Sequence, residues 1–137
     1  MNKDKHFNEN SVFPRGDQNQ SDHFIGATWL KMLVDEDTTH NCPIGNVTFE
    51  PGARNNWHRH PGGQILLVTG GTGYYQEEGK SAQVLQPGDV VQIPSSVKHW
   101  HGATSDDWFS HLAITTNAQL GGAEWLEPVN DTEYAKL

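Results

Sequence analysis

Between Asn46 and Thr115 the chain is cut into eight strand-sized pieces by turn signals, which leaves no room for a long helix. Asn46–Glu50 stops at Pro51-Gly52, Asn56–His60 at Pro61-Gly62-Gly63, and Gln64–Thr69 at Gly70-Gly71. Gly73–Glu77 stops at Glu78-Gly79-Lys80, Ser81–Leu85 before Pro87-Gly88-Asp89, and Val90–Ile93 at Pro94. Lys98–Ala103 and Trp108–Thr115, parted by Thr104-Ser105-Asp106, complete the set. Short apolar runs punctuated by Pro, Gly and Asp predict an all-β antiparallel sandwich or barrel.

The flanks read differently. Residues 1–22 are rich in Asn, Asp, Gln and Lys without periodicity, and are expected to form a flexible polar arm ahead of a single domain over 23–137. Phe24–Val34 carries β-favouring residues and fits one or two edge strands, and Asp35–Gly45 reads as a loop. After the Gly121-Gly122 break, Trp125 and Leu126 are expected to pack on the barrel, and Asp131–Lys136 to form a short helix.

Charge and composition narrow the partners. The net charge is −8, which disfavours phosphate backbones and anionic lipid surfaces. No apolar run reaches the length of a membrane span, and the N-terminus lacks the apolar centre of a signal peptide, so a cytoplasmic location is expected. The single cysteine, Cys42, excludes an internal disulfide.

Five of the eight histidines, His58, His60, His99, His101 and His111, fall in the central half of the chain. In a strand, residues two apart share a face, so His58 and His60 project side by side. The Pro61-Gly62-Gly63 turn can fold Gln64 back beside them, and His99-Trp100-His101 repeats the His-x-His spacing. Imidazoles suit Zn, Cu, Fe, Ni and Mn, and an amide oxygen adds a harder donor. Such a set leaves coordination positions open for a substrate. Gly70-Gly71-Thr72-Gly73 lacks the lysine and helix of a phosphate loop, and reads as a hairpin turn.

These positions resemble the cupin family. Its first motif, G-x5-H-x-H-x3,4-E-x6-G, is matched by Gly52, His58, His60 and Gly71, with Gln64 at the Glu position. Its second, G-x5-P-x-G-x2-H-x3-N, is matched by Gly88, Pro94 and His99, with Ser96 and Ala103 replacing Gly and Asn. The resemblance covers roughly residues 45–115. It implies a cupin jelly-roll (double-stranded β-helix) barrel with a divalent metal ion held in its mouth by His58, His60, Gln64 and His99. A narrower likeness, through VTFEPGARNNWHRHPGGQILLVTGGTGYYQEEG, PGDVVQIPSSVKHWHGA and HLAI, is to small bacterial cupins with hydroxynitrile lyase activity and to cupins associated with carboxymuconolactone decarboxylases. The former hold manganese with three His and one Gln. The likeness therefore favours Mn2+ over Fe2+, Zn2+, Ni2+ or Co2+. It places active-site histidines at His101 and His111, and puts Thr115 where the subgroup has a Gln.

The residues agree with that chemistry. A neutral Gln64 leaves a divalent ion its full charge, which strengthens its pull on a bound oxygen. His101 shares a face with His99, and Phe109, His111, Ala113 and Thr115 share one face of the last strand. An imidazole near a dication is kept neutral and so equipped as a base. The expected activity is a metal-dependent lyase acting on a small hydroxylated or carbonyl substrate, such as a cyanohydrin. An Fe(II) or Mn(II) dioxygenase or isomerase, and a non-enzymatic small-ligand binder, are the alternatives. Small cupins usually pair, so a homodimer or higher homo-oligomer is expected. Trp29, Trp100, Trp108 and Trp125 read as core or contact aromatics. Arg54, Trp57, Tyr75 and Gln92 read as rim or packing residues.

Overall fold

The computed structural model describes residues 12–137. Its elements are β1 (Asp17–Gln18), β2 (Phe24–Ile25), β3 (Thr28–Val34), β4 (Ile44–Phe49), β5 (Arg54–Asn55), β6 (His58–Arg59) and β7 (Gln64–Gly71). These continue with β8 (Gly73–Glu77), β9 (Gln83–Leu85), β10 (Val90–Ile93), β11 (His99–Ala103), β12 (Phe109–Thr115) and β13 (Glu124–Trp125). A 3-10 turn at Ala118–Leu120 and the short helix α1 (Asp131–Tyr134) complete the chain. The chain segments between turn signals each become a strand, because no piece is long enough for anything else.

Two antiparallel sheets face each other. One runs β1-β3-β4-β12-β7-β10; the other carries β13, β6, β5 and β2 on one side of β11, and β8 and β9 on the other. The jelly-roll barrel implied by the motifs is therefore what the chain forms. The Gly70–Gly73 segment is a corner rather than a hairpin: β7 pairs with β12 and β10, whereas β8 pairs with β11 and β9. The corner is tight enough that Gly71, at φ 69°, has no room for a Cβ against the Trp108 carbonyl. Ser96 adopts φ 64°, the left-handed conformation that explains the family's preference for Gly there.

Alternation along the strands divides the interior. Phe49, Leu66, Val68, Val91, Ile93, Ala103 and Phe109 fill one part of the barrel as an apolar core. Along β12 the same face passes from Phe109 through His111 and Ala113 to Thr115, so the lining turns from apolar to polar towards the mouth. Trp57, Trp100 and Val129 form a second cluster with Tyr74, Leu126 and Tyr134. Their strand parity puts this cluster on the outer face of β11, because residues one apart point to opposite sides of a sheet.

Both flanks are tied down. Within the stretch expected to be an arm, Asp17 and Gln18 pair with Leu30 and Trp29, and Asn46 Nδ2 donates to the Pro14 carbonyl at 2.9 Å. Residues 1–11 lie outside the described residues. At the other end, buried Arg54 donates Nε and Nη2 to the Val129 carbonyl at 3.0 and 2.7 Å, and stacks on Tyr134 at 4.4 Å. No helix among the described residues is long and apolar enough to cross a membrane.

Candidate metal centre

The register of one sheet builds the site. His99 on β11 pairs with His58 on β6, and residues directly opposite in an antiparallel pair lie on one face. His60 follows two residues after His58 and projects the same way. The ligand atoms of His58, His60 and His99 all lie within 4.8 Å of one another, and all three residues are buried.

Their outer nitrogens are assigned by the backbone. His58 Nδ1 donates to the Asn56 carbonyl at 2.7 Å, and His99 Nδ1 to the Val97 carbonyl at 2.8 Å. Each ring thereby keeps a bare Nε2 turned to the shared centre, the tautomer a metal ligand requires. His99 Nε2 and both ring nitrogens of His60 have no hydrogen-bond partner among the described residues. Buried polar atoms left unpaired are costly, and their convergence here fits a cation at the centre.

Electrostatics point the same way. Burial, above all, pushes His58 well below its usual pKa, and His99 adds to the effect against the opposing Asn56 carbonyl. Burial and then His99 bring His60 down to about 4, against a smaller opposite effect of Gln64. Burial likewise lowers His99, opposed by the Val97 carbonyl and Glu77. All three are therefore neutral near pH 7, as ligands must be.

Gln64 opens β7 beyond the turn, and is buried with its Oε1 unpartnered among the described residues. Its Nε2 points to Thr115 Oγ1 at 3.4 Å, and the two residues are register partners. Thr115 thus supplies a neighbour for the amide N–H2, leaving the carbonyl oxygen as the spare donor of the pair.

His101 and His111 are brought together beside the triad. His111 Nε2 lies 3.0 Å from His101 Nδ1, and the His101 ring is 5.5 Å from His58 and 5.8 Å from His99 between centroids. Burial first, and then His111, hold His101 well below its usual pKa; burial lowers His111 to about 4, with the Leu112 backbone opposing. Phe49 lies edge-on to His101 and beneath His111, closing the apolar side of the pair.

Several neighbours were not singled out by the sequence. Asn55 Oδ1 accepts from the His101 backbone N–H at 2.9 Å, and its Nδ2 is 3.3 Å from each ring nitrogen, so the amide lies across the ring. The available signal was the Asn55-Asn56 pair, two consecutive amides beside the His58-Arg59-His60 motif. Trp125, expected to pack on the barrel, does so against the site itself: it pairs with His58, with ring centroids 4.7 Å apart. Arg54 and Trp57 face the outer cluster and Gln92 is exposed, while Tyr75 is in the core with its hydroxyl on Glu77 at 3.1 Å. On the opposing sheet, a groove of about 390 Å³ is lined by Leu30, Met32, Val47, Ala113 and Thr115 among others.

A barrel of this topology with a histidine triad in its mouth defines a class, and the sequence profile of the cupin domain matches residues 45–115; the chain belongs to the cupin family. It is 46% identical over 116 residues to the (R)-mandelonitrile lyase of Granulicella tundricola, covering 85% of this chain and 88% of that protein. The crystal structure of a cupin-like protein from Thermotoga maritima is 52% identical, with a TM-score of 0.89 over 92% of this chain and 96% of that one. The DMSP lyase DddQ of Ruegeria pomeroyi shares the fold, with a TM-score of 0.66 at 19% identity over 85% of this chain and 64% of that one.

Proposed function

We propose that the chain is a metal-dependent lyase that cleaves cyanohydrins to a carbonyl compound and hydrogen cyanide. The observation that carries this is a buried, all-neutral donor set beside a second, hydrogen-bonded histidine pair. The 46% identity to a mandelonitrile lyase supports the choice of substrate.

In this reading His58, His60, His99 and Gln64 would hold one divalent ion, and the likeness to manganese-holding cupins makes Mn2+ the ion to test first. When bound, the ion supplies Lewis acidity towards a hydroxyl or carbonyl oxygen. With its own proton on Nδ1, His111 accepts His101 Nδ1–H at Nε2. His101 Nε2 is then a neutral base, and Asn55 fixes the strand that bears it. The substrate hydroxyl proton passes to His101 Nε2. The bond between the carbinol carbon and the nitrile breaks with its electron pair on cyanide, and the C=O bond forms. His101 returns the proton to cyanide, which leaves as hydrogen cyanide. Microscopic reversibility gives the same residues the reverse addition.

Protein treated with chelator and reloaded with Mn2+ is incubated with mandelonitrile, and benzaldehyde is followed by its absorbance. Release above the metal-free control is expected. Equal rates with and without metal would remove cyanohydrin cleavage from this protein.

A further inference from the structure

We propose that the two ends of the chain form a clasp that positions His58, with Trp125 and His23 as its positioning residues. The inference rests on His58 being a metal ligand as proposed above. It concerns residues that lie outside 45–115, the segment shared with the family.

The clasp has an aromatic part and a backbone part. His58 lies between β11 on one side and β13 on the other, paired with His99 and Trp125 respectively. The Trp125 ring lies 4.7 Å from the His58 ring at a tilt of 37°. The His23 ring is stacked on Trp125 at 4.6 Å with an interplanar angle of only 3°, and Phe24 adds a tilted contact at 5.7 Å. Trp125 is therefore held by the N-terminal segment and in turn limits how His58 can rotate. Ring stacking of this kind adds attraction beyond area burial and favours one ring orientation over others.

The backbone part fixes the other side of the same imidazole. His58 Nδ1 donates to the Asn56 carbonyl. Asn56 is itself held from both chain ends: its N–H donates to the His23 carbonyl at 2.8 Å, and its Nδ2 to the Leu126 carbonyl at 3.4 Å. Around this residue, Trp57 and Leu126 exchange two backbone hydrogen bonds with the partner segment, Trp57 N–H to Glu127 O at 2.9 Å and Leu126 N–H to Trp57 O at 2.8 Å. The flanks thus set both the hydrogen bond that chooses the His58 tautomer and the ring that sets its angle. Neither His60 nor His99 has an equivalent: the His60 ring nitrogens have no hydrogen-bond partner among the described residues, and the His99 ring is anchored by Val97 from within the family segment.

Loss of such outer partners lowers metal affinity by about 10–100-fold in metal sites generally. The test measures Mn2+ binding to chelator-treated protein by calorimetry, and the visible absorption of the Co2+-loaded form. Trp125→Ala is expected to weaken Mn2+ binding by about tenfold or more and to shift the Co2+ bands. Trp125→Phe, which keeps a ring against His58, is expected to bind within about threefold of wild type. His23→Ala, which leaves every backbone bond in place, is expected to lie between them. Thermal melting without metal reports folding separately. Trp125→Ala or His23→Ala proteins that melt like wild type yet bind Mn2+ as wild type does, with unchanged Co2+ bands, would overturn the clasp alone. Wild-type protein that binds neither ion would overturn the clasp together with the metal reading. If Trp125→Ala does not fold, the contrast between His23→Ala and Trp125→Phe decides.

Discussion

In the proposed centre, Gln64 is the residue on which the character of the site turns. A glutamate there would cancel one charge of a divalent ion and weaken its pull on a bound oxygen. Gln64→Glu is therefore expected to retain Mn2+, measured by elemental analysis, while cyanohydrin turnover falls by about tenfold or more. The base is separable from the ion: His101→Gln is expected to keep full metal content and lower kcat by about 10²–10⁴, the usual contribution of a positioned acid–base group. Simultaneous loss of metal in His101→Gln would show that His101 supports the ligands rather than the proton transfer. The His-x-His pairs were legible in the sequence because strand parity fixes their faces, and Gln64 through the turn before it and the resemblance to the cupin motif. Asn55 and Trp125 were not, because their roles depend on which strands become neighbours, and β2, β5, β6 and β13 meet only through long-range pairing. Trp125 in particular sits 67 positions beyond its partner His58, in a two-residue strand that no local pattern announces.

At the scale of elements, corners and straps matter more than strand composition. Gly71→Ala places a Cβ against the Trp108 carbonyl in a left-handed conformation, and is expected to cost more than about 3 kcal/mol by urea unfolding. The sequence marked this turn but not its purpose, since a Gly-rich break looks the same whether the chain folds back or crosses to the facing sheet. Arg54 is the strap for the C-terminal segment. Its ion pair with Asp131 adds little, because the Asp131 side chain is 94% exposed. Its two bonds to the Val129 carbonyl are buried, and removing them leaves that oxygen unsatisfied at about 1–3 kcal/mol. Arg54→Ala is thus expected to destabilise by about 2–4 kcal/mol, with Asp131→Ala nearly silent.

For the molecule as a whole, the buried histidines couple stability to pH. His60 and His111 have pKa values of about 4 in the folded state, against 6.5 when exposed. The unfolded chain therefore takes up protons first, so stability is fully present above about pH 6.5 and is lost as pH falls towards 4. Calorimetric melting of metal-free protein should show Tm falling across that window and further in stronger acid, because His58 and His101 are also held well below their usual pKa. Adding Mn2+ at a hundred times its Kd is expected to stabilise by about 2.7 kcal/mol at neutral pH, and progressively less in acid as protons compete for the ligands. A Tm that is flat between pH 4 and 6.5 would mean that these rings are solvated in the folded protein.

The flanking segments reach His58 through Asn56 and Trp125 while supplying no atom of the proposed donor set. Swapping both tails of this barrel for those of a relative would therefore act as a dial on the ion's grip, leaving every coordinating side chain as it was.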